Sequence, residues 1–430
     1  MKDYSKKFPL PKSNFWPEIP DRVLLLEKGL QDLSETPSSI ATNGTTLYST
    51  NPLAGPDINN SNTIALGQEA GYQTLGAHDS NFLGSNAGYQ ATNAQNSNFF
   101  GYRTGQGAAY AFSSNFLGSY AGYNATSAIN SNFLGDSAGV SASNANNSNF
   151  LGVSAGYGAT SANNSNFIGQ NTGYQATNAE KSNFIGQNAG YYATGARNSN
   201  FYGYQAGTNS NQASYSNFIG SFAGAFSQNA MSCVFIGTAA GSSAPNANSS
   251  NFIGGNAGMT ATNAYGSNFM GIRAGYGAIN ASNSIFIGNE AGNGATNASY
   301  STFIGERAGE YFPGNNVGSN NIIIGSNISL PNAATNSLNI GGILFGKNTN
   351  SSVAYPAVIT PASTGRIGIG VVNPTANLHI KASSTASALM KLEVGPAPTT
   401  PNDGDIWLES NTNTGLKIRI NGTTKTITLS

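Results

Sequence analysis

Hydrophobic and polar residues follow one another along most of the chain in a pattern that repeats every 17 residues. One unit, residues 165–181, opens with a serine, an asparagine, Phe167, Ile168 and Gly169 and continues with small and polar residues. The glycine that ends the short apolar run occurs fifteen times, at positions 67, 84, 101, 118, 135, 152, 169, 186, 203, 220, 237, 254, 271, 288 and 305. A second glycine follows four residues after each, from Gly71 to Gly309. Because a coil stacked on identical coils cannot change length, whereas an ordinary loop can, this constant period predicts a solenoid.

The apolar run of each repeat predicts a short β-strand with two apolar faces. Phenylalanine stands two residues before the first glycine in fourteen of the fifteen copies, and Ala65 is the exception. The next residue is always large and mostly aliphatic, from Leu66 to Ile304. Neighbouring residues of a strand point to opposite faces, and a 17-residue coil has one narrow interior. The outer apolar face is therefore expected to be covered by another subunit, because soluble monomers rarely expose such a stripe.

Small and polar columns complete the repeat. Alanine stands three residues after the first glycine in thirteen coils, with Thr104 and Thr172 as exceptions. Asparagine precedes the phenylalanine position in eleven coils, and in-register asparagines can bond side chain to side chain along a stack. At about 4.8 Å per coil, fifteen coils predict a rod segment of about 70 Å.

The pattern divides the chain into four parts. Residues 1–57 form an N-terminal docking segment with a short amphipathic helix over 21–33, capped by Asp21. Residues 58–314 form the shaft, an all-β, parallel β-roll or solenoid of fifteen 17-residue coils. Residues 315–360 are a transition or neck, and residues 361–430 form a small C-terminal β tip domain. In this last part, alternating residues around Asn421 and Gly422 predict a hairpin.

Composition excludes several function classes. Only 8% of residues are charged and the formal net charge is zero, so no basic stripe for nucleic acid exists. No apolar run is long enough for membrane insertion, and residues 1–7 lack a signal-peptide core, so synthesis in the cytoplasm is expected. The single cysteine, Cys233, occupies a column that is usually serine, which favours a packed small residue over a reactive thiol.

The residues that could carry chemistry do not form a recognisable site. His78 and His379 lie far apart in the chain, and Glu69, Glu290 and Glu306 are scattered acids. Residues 368–370, Gly-Ile-Gly, resemble a phosphate loop only superficially, since no helix follows. The sequence therefore predicts a non-enzymatic protein with no catalytic, cofactor-binding or metal residues, and it identifies no receptor-binding residues.

Two stretches carry a family resemblance. Residues 182–191, Ser-Asn-Phe-Ile-Gly-Gln-Asn-Ala-Gly-Tyr, resemble the head repeats of trimeric autotransporter adhesins, which implies a trimeric, left-handed parallel β-roll. The C-terminal third looks like phage tail fibre proteins. The motifs that carry this likeness are residues 320–325 (Asn-Asn-Ile-Ile-Ile-Gly), 366–370 (Arg-Ile-Gly-Ile-Gly), 373–380 (Asn-Pro-Thr-Ala-Asn-Leu-His-Ile) and 401–407 (Pro-Asn-Asp-Gly-Asp-Ile-Trp).

The resemblance implies a tail fibre or receptor-binding fibre of a phage or phage-like particle. In this hypothesis the chain is a homotrimer located in the virion. Its N-terminal segment docks on a tail or baseplate protein, and its distal domain contacts a glycan or protein receptor on the host cell. One alternative is a bacterial surface adhesin exported without a classical signal.

A further alternative is an ice- or polysaccharide-binding solenoid. It is suggested by a row of threonines that has gaps at half of the coils: Thr92, Thr126, Thr160, Thr177, Thr194, Thr262 and Thr296. A row of tyrosines could instead stack on sugars, although packing along the solenoid wall is favoured: Tyr89, Tyr123, Tyr157, Tyr174 and Tyr191.

Overall fold

A computed structural model describes residues 47–48, 62–310, 316–348, 364–382, 390–409 and 415–427. Within these ranges every regular element is a β-strand. The predicted helix over 21–33, and with it most of the predicted docking segment, lies outside the described residues. The described part falls into two compact units, divided between Thr335 and Asn336.

The first unit is a parallel β-solenoid with a 17-residue repeat, as the sequence predicts. From β2 to β16 each strand pairs in parallel with the strand 17 residues further along, so that like positions lie side by side. The strands are β1 Leu47–Tyr48, β2 Ile64–Leu66, β3 Asn81–Leu83, β4 Asn98–Phe100, β5 Asn115–Leu117, β6 Asn132–Leu134, β7 Asn149–Leu151, β8 Asn166–Ile168, β9 Asn183–Ile185, β10 Asn200–Tyr202, β11 Asn217–Ile219, β12 Val234–Ile236, β13 Asn251–Ile253, β14 Asn268–Met270, β15 Ile285–Ile287, β16 Thr302–Ile304 and β17 Ile322–Ile324.

The stack extends beyond the fifteen repeats at both ends. Strand β1 pairs in parallel with β2 in the same 17-residue register, with Leu47 opposite Ile64. Strand β17 pairs in parallel with β16 after a step of 20 residues, with Thr302 opposite Ile322. Ile323 is buried and takes the phenylalanine position there. The backbone pairing therefore continues where the sequence repeat ends.

A column of phenylalanine rings fills the interior of the solenoid. Every ring from Phe82 to Phe303 is fully buried. From Phe99 onward, successive rings are nearly parallel, with centroids 4.6 to 4.9 Å apart. At the N-terminal end, where Ala65 replaces the aromatic residue, Phe82 tilts by 54° relative to Phe99. Each buried ring contributes about 2 to 3 kcal/mol of transfer free energy before entropy is counted.

The two glycine columns make room for this interior in different ways. At Gly186, φ is +130°, and an added Cβ would lie 2.5 Å from the carbonyl oxygen of Gly203 in the next coil. At Gly190, φ is +64°, and an added Cβ would lie 2.3 Å from Cδ2 of Phe184 in the same coil. The first glycine therefore lets neighbouring backbones approach each other, and the second lets the phenylalanine ring lie against the wall.

The rest of each coil satisfies its backbone groups through its neighbours. The Asn188 N–H donates to the Gln170 carbonyl in the preceding coil at 2.9 Å, whereas the Gly190 N–H donates to the Ala206 carbonyl in the following coil at 2.8 Å. Many residues that bond backwards have a positive φ, for example Asn188 at 57° and Tyr192 at 53°. Asparagine and glycine adopt this conformation most readily, which explains their abundance.

The second unit contains two small sheets. Strands β18 Ser337–Ile340, β19 Leu344–Lys347 and β20 Arg366–Ile369 are antiparallel, and β21 Leu378–Ile380 pairs in parallel with β20. The other sheet consists of β22 Val394–Gly395, β23 Ile406–Glu409, β24 Leu416–Ile420 and β25 Thr423–Ile427. The predicted hairpin is confirmed, because β24 and β25 are joined by Asn421 and Gly422 at φ values of 47° and 71°.

The glycine that faces the aromatic ring is expected to be essential for stability. Replacing Gly190 by alanine forces a left-handed residue to carry a Cβ and drives that Cβ into Phe184. We expect Gly190→Ala to lower the free energy of unfolding by about 2 kcal/mol or more, measured by chemical denaturation. Gly255→Ala is the matched control, because nothing lies within 4 Å of its added Cβ. Equal stability of the two variants would contradict this account of the interior.

Candidate interaction surface

The outer face of the strands carries an aliphatic row along the solenoid. The middle residue of each strand is buried, and the residues on either side of it point outward. In the third strand position Ile168 is 39% exposed and Ile185 is 41% exposed. We define the apolar stripe as this position in every strand from β2 to β17: Leu66, Leu83, Phe100, Leu117, Leu134, Leu151, Ile168, Ile185, Tyr202, Ile219, Ile236, Ile253, Met270, Ile287, Ile304 and Ile324.

A ladder of asparagines runs beside the apolar stripe. From Asn81 to Asn217, the Nδ2 of each asparagine donates to the Oδ1 of the next at 2.7 to 2.9 Å, and the same bond links Asn251 to Asn268. The predicted side-chain bonding along the stack is thus confirmed. Val234 interrupts the ladder, and Ile285 ends it. Because the amides bond to one another, this row binds the coils together instead of offering a free polar ligand set.

Between the two rows lies an open groove. Its deepest part has a volume of about 680 Å³ and runs along five coils, where asparagines form one side and Phe100, Leu117, Leu134, Leu151 and Ile168 form the other. No Asp, Glu, Lys, Arg or His occurs in the described strands β2 to β17. The strand face is therefore a long apolar surface without charge.

The threonine row lies on a different part of the coil. Single-residue parallel bridges form a second ladder, and Thr92, Thr126 and Thr160 occupy three of its positions. The run of consecutive threonines is short, from Thr160 to Thr194. Other residue types take the remaining positions, namely Leu75, Ala109, Ser143, Asn211, Gln228, Pro245 and Ile279. This ladder does not present the regular hydroxyl plane that ice binding would need.

The tyrosine row packs largely against itself. The rings of Tyr157, Tyr174 and Tyr191 stack with centroids 4.9 and 5.1 Å apart. Partial burial, with the neighbouring Tyr157 as a second cause, raises the pKa of Tyr174 above its ordinary value. Tyr89 stacks on Tyr72 at 5.8 Å. Tyr123 instead contacts Tyr120 edge-on at 5.8 Å.

The scattered acids take part in contacts between coils. Glu290 lies between Arg273 and Arg307, at 2.9 and 3.5 Å, and Glu69 accepts a hydrogen bond from Asn86 at 2.6 Å. These contacts are half-exposed and link adjacent turns, so each contributes modestly to stability. They bring no two carboxylates into a hydrolytic arrangement.

The histidines and the glycine motif also lie in structural settings. His78 belongs to the solenoid unit, and His379 belongs to the second unit, where its Nδ1 accepts from the Thr375 N–H at 3.2 Å. Residues 368–370 lie in and just after strand β20, so they form no phosphate loop. In the described ranges, no cluster of three or more His, Cys, Asp or Glu side chains could hold a metal. The described part of the chain also has no helix that could cross a membrane.

Cys233 occupies the buried serine column, as the sequence suggests. In a typical coil, the Ser199 hydroxyl donates to the Ala213 carbonyl at 2.6 Å and accepts from the Ser216 N–H at 3.1 Å. The Cys233 thiol makes the equivalent contact with the Ala247 carbonyl at 2.7 Å. Burial raises the pKa of the Cys233 thiol to about 12.

The folded chain should therefore resist thiol reagents. At pH 8 we expect little labelling of Cys233 in the native protein and complete labelling in denaturant, followed by thiol-specific colorimetry. Because the pKa is higher in the folded state, the thiol's contribution to stability is fully present below about pH 8.5 and is lost above that pH. The control is Ser326→Cys in a Cys233→Ser background, since Ser326 is exposed. Equally fast native labelling of both thiols would contradict burial.

Comparisons with known proteins add no identity to this geometry. The chain matches no protein-family model, no curated protein and no solved structure. The uncharged apolar stripe beside the asparagine ladder is therefore the main basis for inferring function.

Proposed function

We propose that the protein is a non-enzymatic, homotrimeric fibre of a phage or phage-like particle tail that attaches the particle to the host cell surface. The observation that carries this proposal is the apolar stripe. It is continuous along the solenoid, free of charge and about 40% exposed in a single chain, for example 39% at Leu66 and 41% at Met270. Such a surface on a soluble protein calls for a partner.

The size of the strand face fits an interface between copies of this chain. Three residues of strand at about 3.3 Å each and a stack of about 70 Å give a face on the order of 700 Å². A specific interface buries about 800 Å² per partner, so the face is large enough for stable association. Because it has no charged residue, identical faces do not repel one another when they meet. The number three rests on the likeness to trimeric adhesin heads.

The architecture supports a fibre role. Coils held by a continuous aromatic column and by backbone bonds to both neighbours form a stiff element suited to carrying a binding domain away from a particle. In this proposal residues 1–57 dock on a tail or baseplate protein, and the C-terminal residues contact a host receptor. The chain is made in the host cytoplasm and is located in the virion.

Oligomer formation is tested by placing charge on the apolar stripe. In the trimer, Ile185→Lys would bring three ammonium groups into a dry seam, so we expect dissociation to monomers. Light scattering after size-exclusion chromatography would show a mass near that of one 44.1 kDa chain.

A matched control separates this effect from a general effect of lysine. Ile279 is 44% exposed and lies on the second ladder, away from the stripe, so Ile279→Lys should leave the trimer intact. A monomeric wild-type chain, or equal loss of mass in both variants, would contradict the proposed seam.

The attachment role is tested by competition. Purified full-length protein is expected to saturate host receptors and reduce particle adsorption, counted as unadsorbed infectious particles over time. The monomeric Ile185→Lys variant should compete less well, because three linked sites bind more strongly than one. Cell binding by the protein without any effect on particles would favour a surface adhesin and overturn the fibre role.

A further inference from the structure

Away from the strand face, exposed aromatic side chains gather on the two coils closed by Gly101 and Gly118. Tyr102 is 43% exposed, and its ring meets the ring of Tyr120 edge-on with centroids 5.4 Å apart. Tyr123 contacts Tyr120 at 5.8 Å. Tyr102, Tyr120 and Tyr123 are named here the tyrosine platform. Unlike the stacked row from Tyr157 to Tyr191, its rings are steeply inclined to one another, so edges and faces both reach the surface.

Arg103 is held on this platform. Its Cζ lies 5.2 Å from the ring centroid of Tyr102 and 5.9 Å from that of Tyr120, within the range of cation–π attraction. The Nε of Arg103 and the Oε1 of the nearby Gln106 are buried and have no hydrogen-bond partner. Buried polar atoms are normally paired, so a donor and an acceptor are unused beside the platform.

The charge of Arg103 is also unpaired. Among the described residues of the solenoid, each of the other arginines lies within 4 Å of a glutamate: Arg197 of Glu180, Arg273 of Glu290, and Arg307 of Glu290 and Glu310. No carboxylate of the described residues lies that close to Arg103. A guanidinium fixed by aromatic rings and lacking an acid partner is suited to bind a carboxylate from outside the chain.

We propose that the tyrosine platform and Arg103 form a binding site for a carboxylate-bearing sugar ring of a cell-surface glycan. The apolar C–H face of a pyranose packs on a tyrosine ring, its hydroxyls bond to polar groups, and its carboxylate pairs with the guanidinium. A nucleic acid does not fit, because the solenoid has no basic track for a phosphate backbone. This inference names the ligand class of the proposed attachment role and rests on it.

Binding is tested with the full-length protein and a panel of oligosaccharides. The panel contains uronate and sialate sugars together with neutral sugars of the same size. We expect the acidic members to bind more tightly than their neutral counterparts, and more weakly as salt rises. Arg103→Gln should weaken acidic binding about tenfold or more without affecting neutral sugars, and Tyr102→Ala should weaken both.

The matched control is Arg273→Gln. Arg273 occupies the same column as Arg103 and lies over a tyrosine, with its Cζ 5.1 Å from the ring centroid of Tyr276, but it is paired with Glu290. Its loss should leave glycan affinity unchanged. Unfolding midpoints show whether each variant is folded, and Arg103→Lys tests whether charge alone suffices.

The outcomes separate the two proposals. Failure of every acidic oligosaccharide to outbind its neutral counterpart, or equal affinity of wild type and Arg103→Gln, overturns the glycan site. If the wild-type protein still blocks adsorption in that case, the fibre role stands. If glycans bind through Arg103 while adsorption is unaffected, the site stands and the fibre role is overturned.

Discussion

Contact between each phenylalanine ring and the second glycine of its coil is the constraint on which the solenoid depends. The ring of Phe184 occupies the space that a Cβ at Gly190 would need, and it stacks between the rings of the adjacent coils. With the ring and the glycine fixed, the coil has no freedom to gain or lose a residue between them. The 17-residue period is thus a consequence of packing, because an insertion would displace a ring from its column.

The same constraint produces the outer surface. Once Phe184 points inward, strand geometry directs Ile185 outward, so every coil that adds a ring to the interior also adds an apolar side chain to the stripe. Serine hydroxyls and asparagine amides hold adjacent coils together without adding charge. The interior therefore explains the stability of one chain, and the stripe supplies the reason for several chains to associate.

The sequence predicts features that depend on repeated residue types. The phenylalanine column, the outward Leu/Ile row, the asparagine ladder and the Asn421–Gly422 hairpin all follow from spacing and side-chain chemistry. It does not predict the second bridge ladder, because Thr92, Ala109 and Pro245 share no property there and only backbone pairing defines the column. Strand β17 is obscured by its 20-residue step, and the Arg103 platform depends on contacts between coils, which no linear motif records.

The central claim is that the apolar stripe is buried between copies of the chain. A cryo-electron microscopy reconstruction of the purified full-length protein tests it most directly. The account predicts three chains around one axis, with the side chains of Ile168 and Ile185 within about 4.5 Å of apolar atoms of a neighbouring chain. A reconstruction in which these side chains face bulk solvent on a single chain would contradict it.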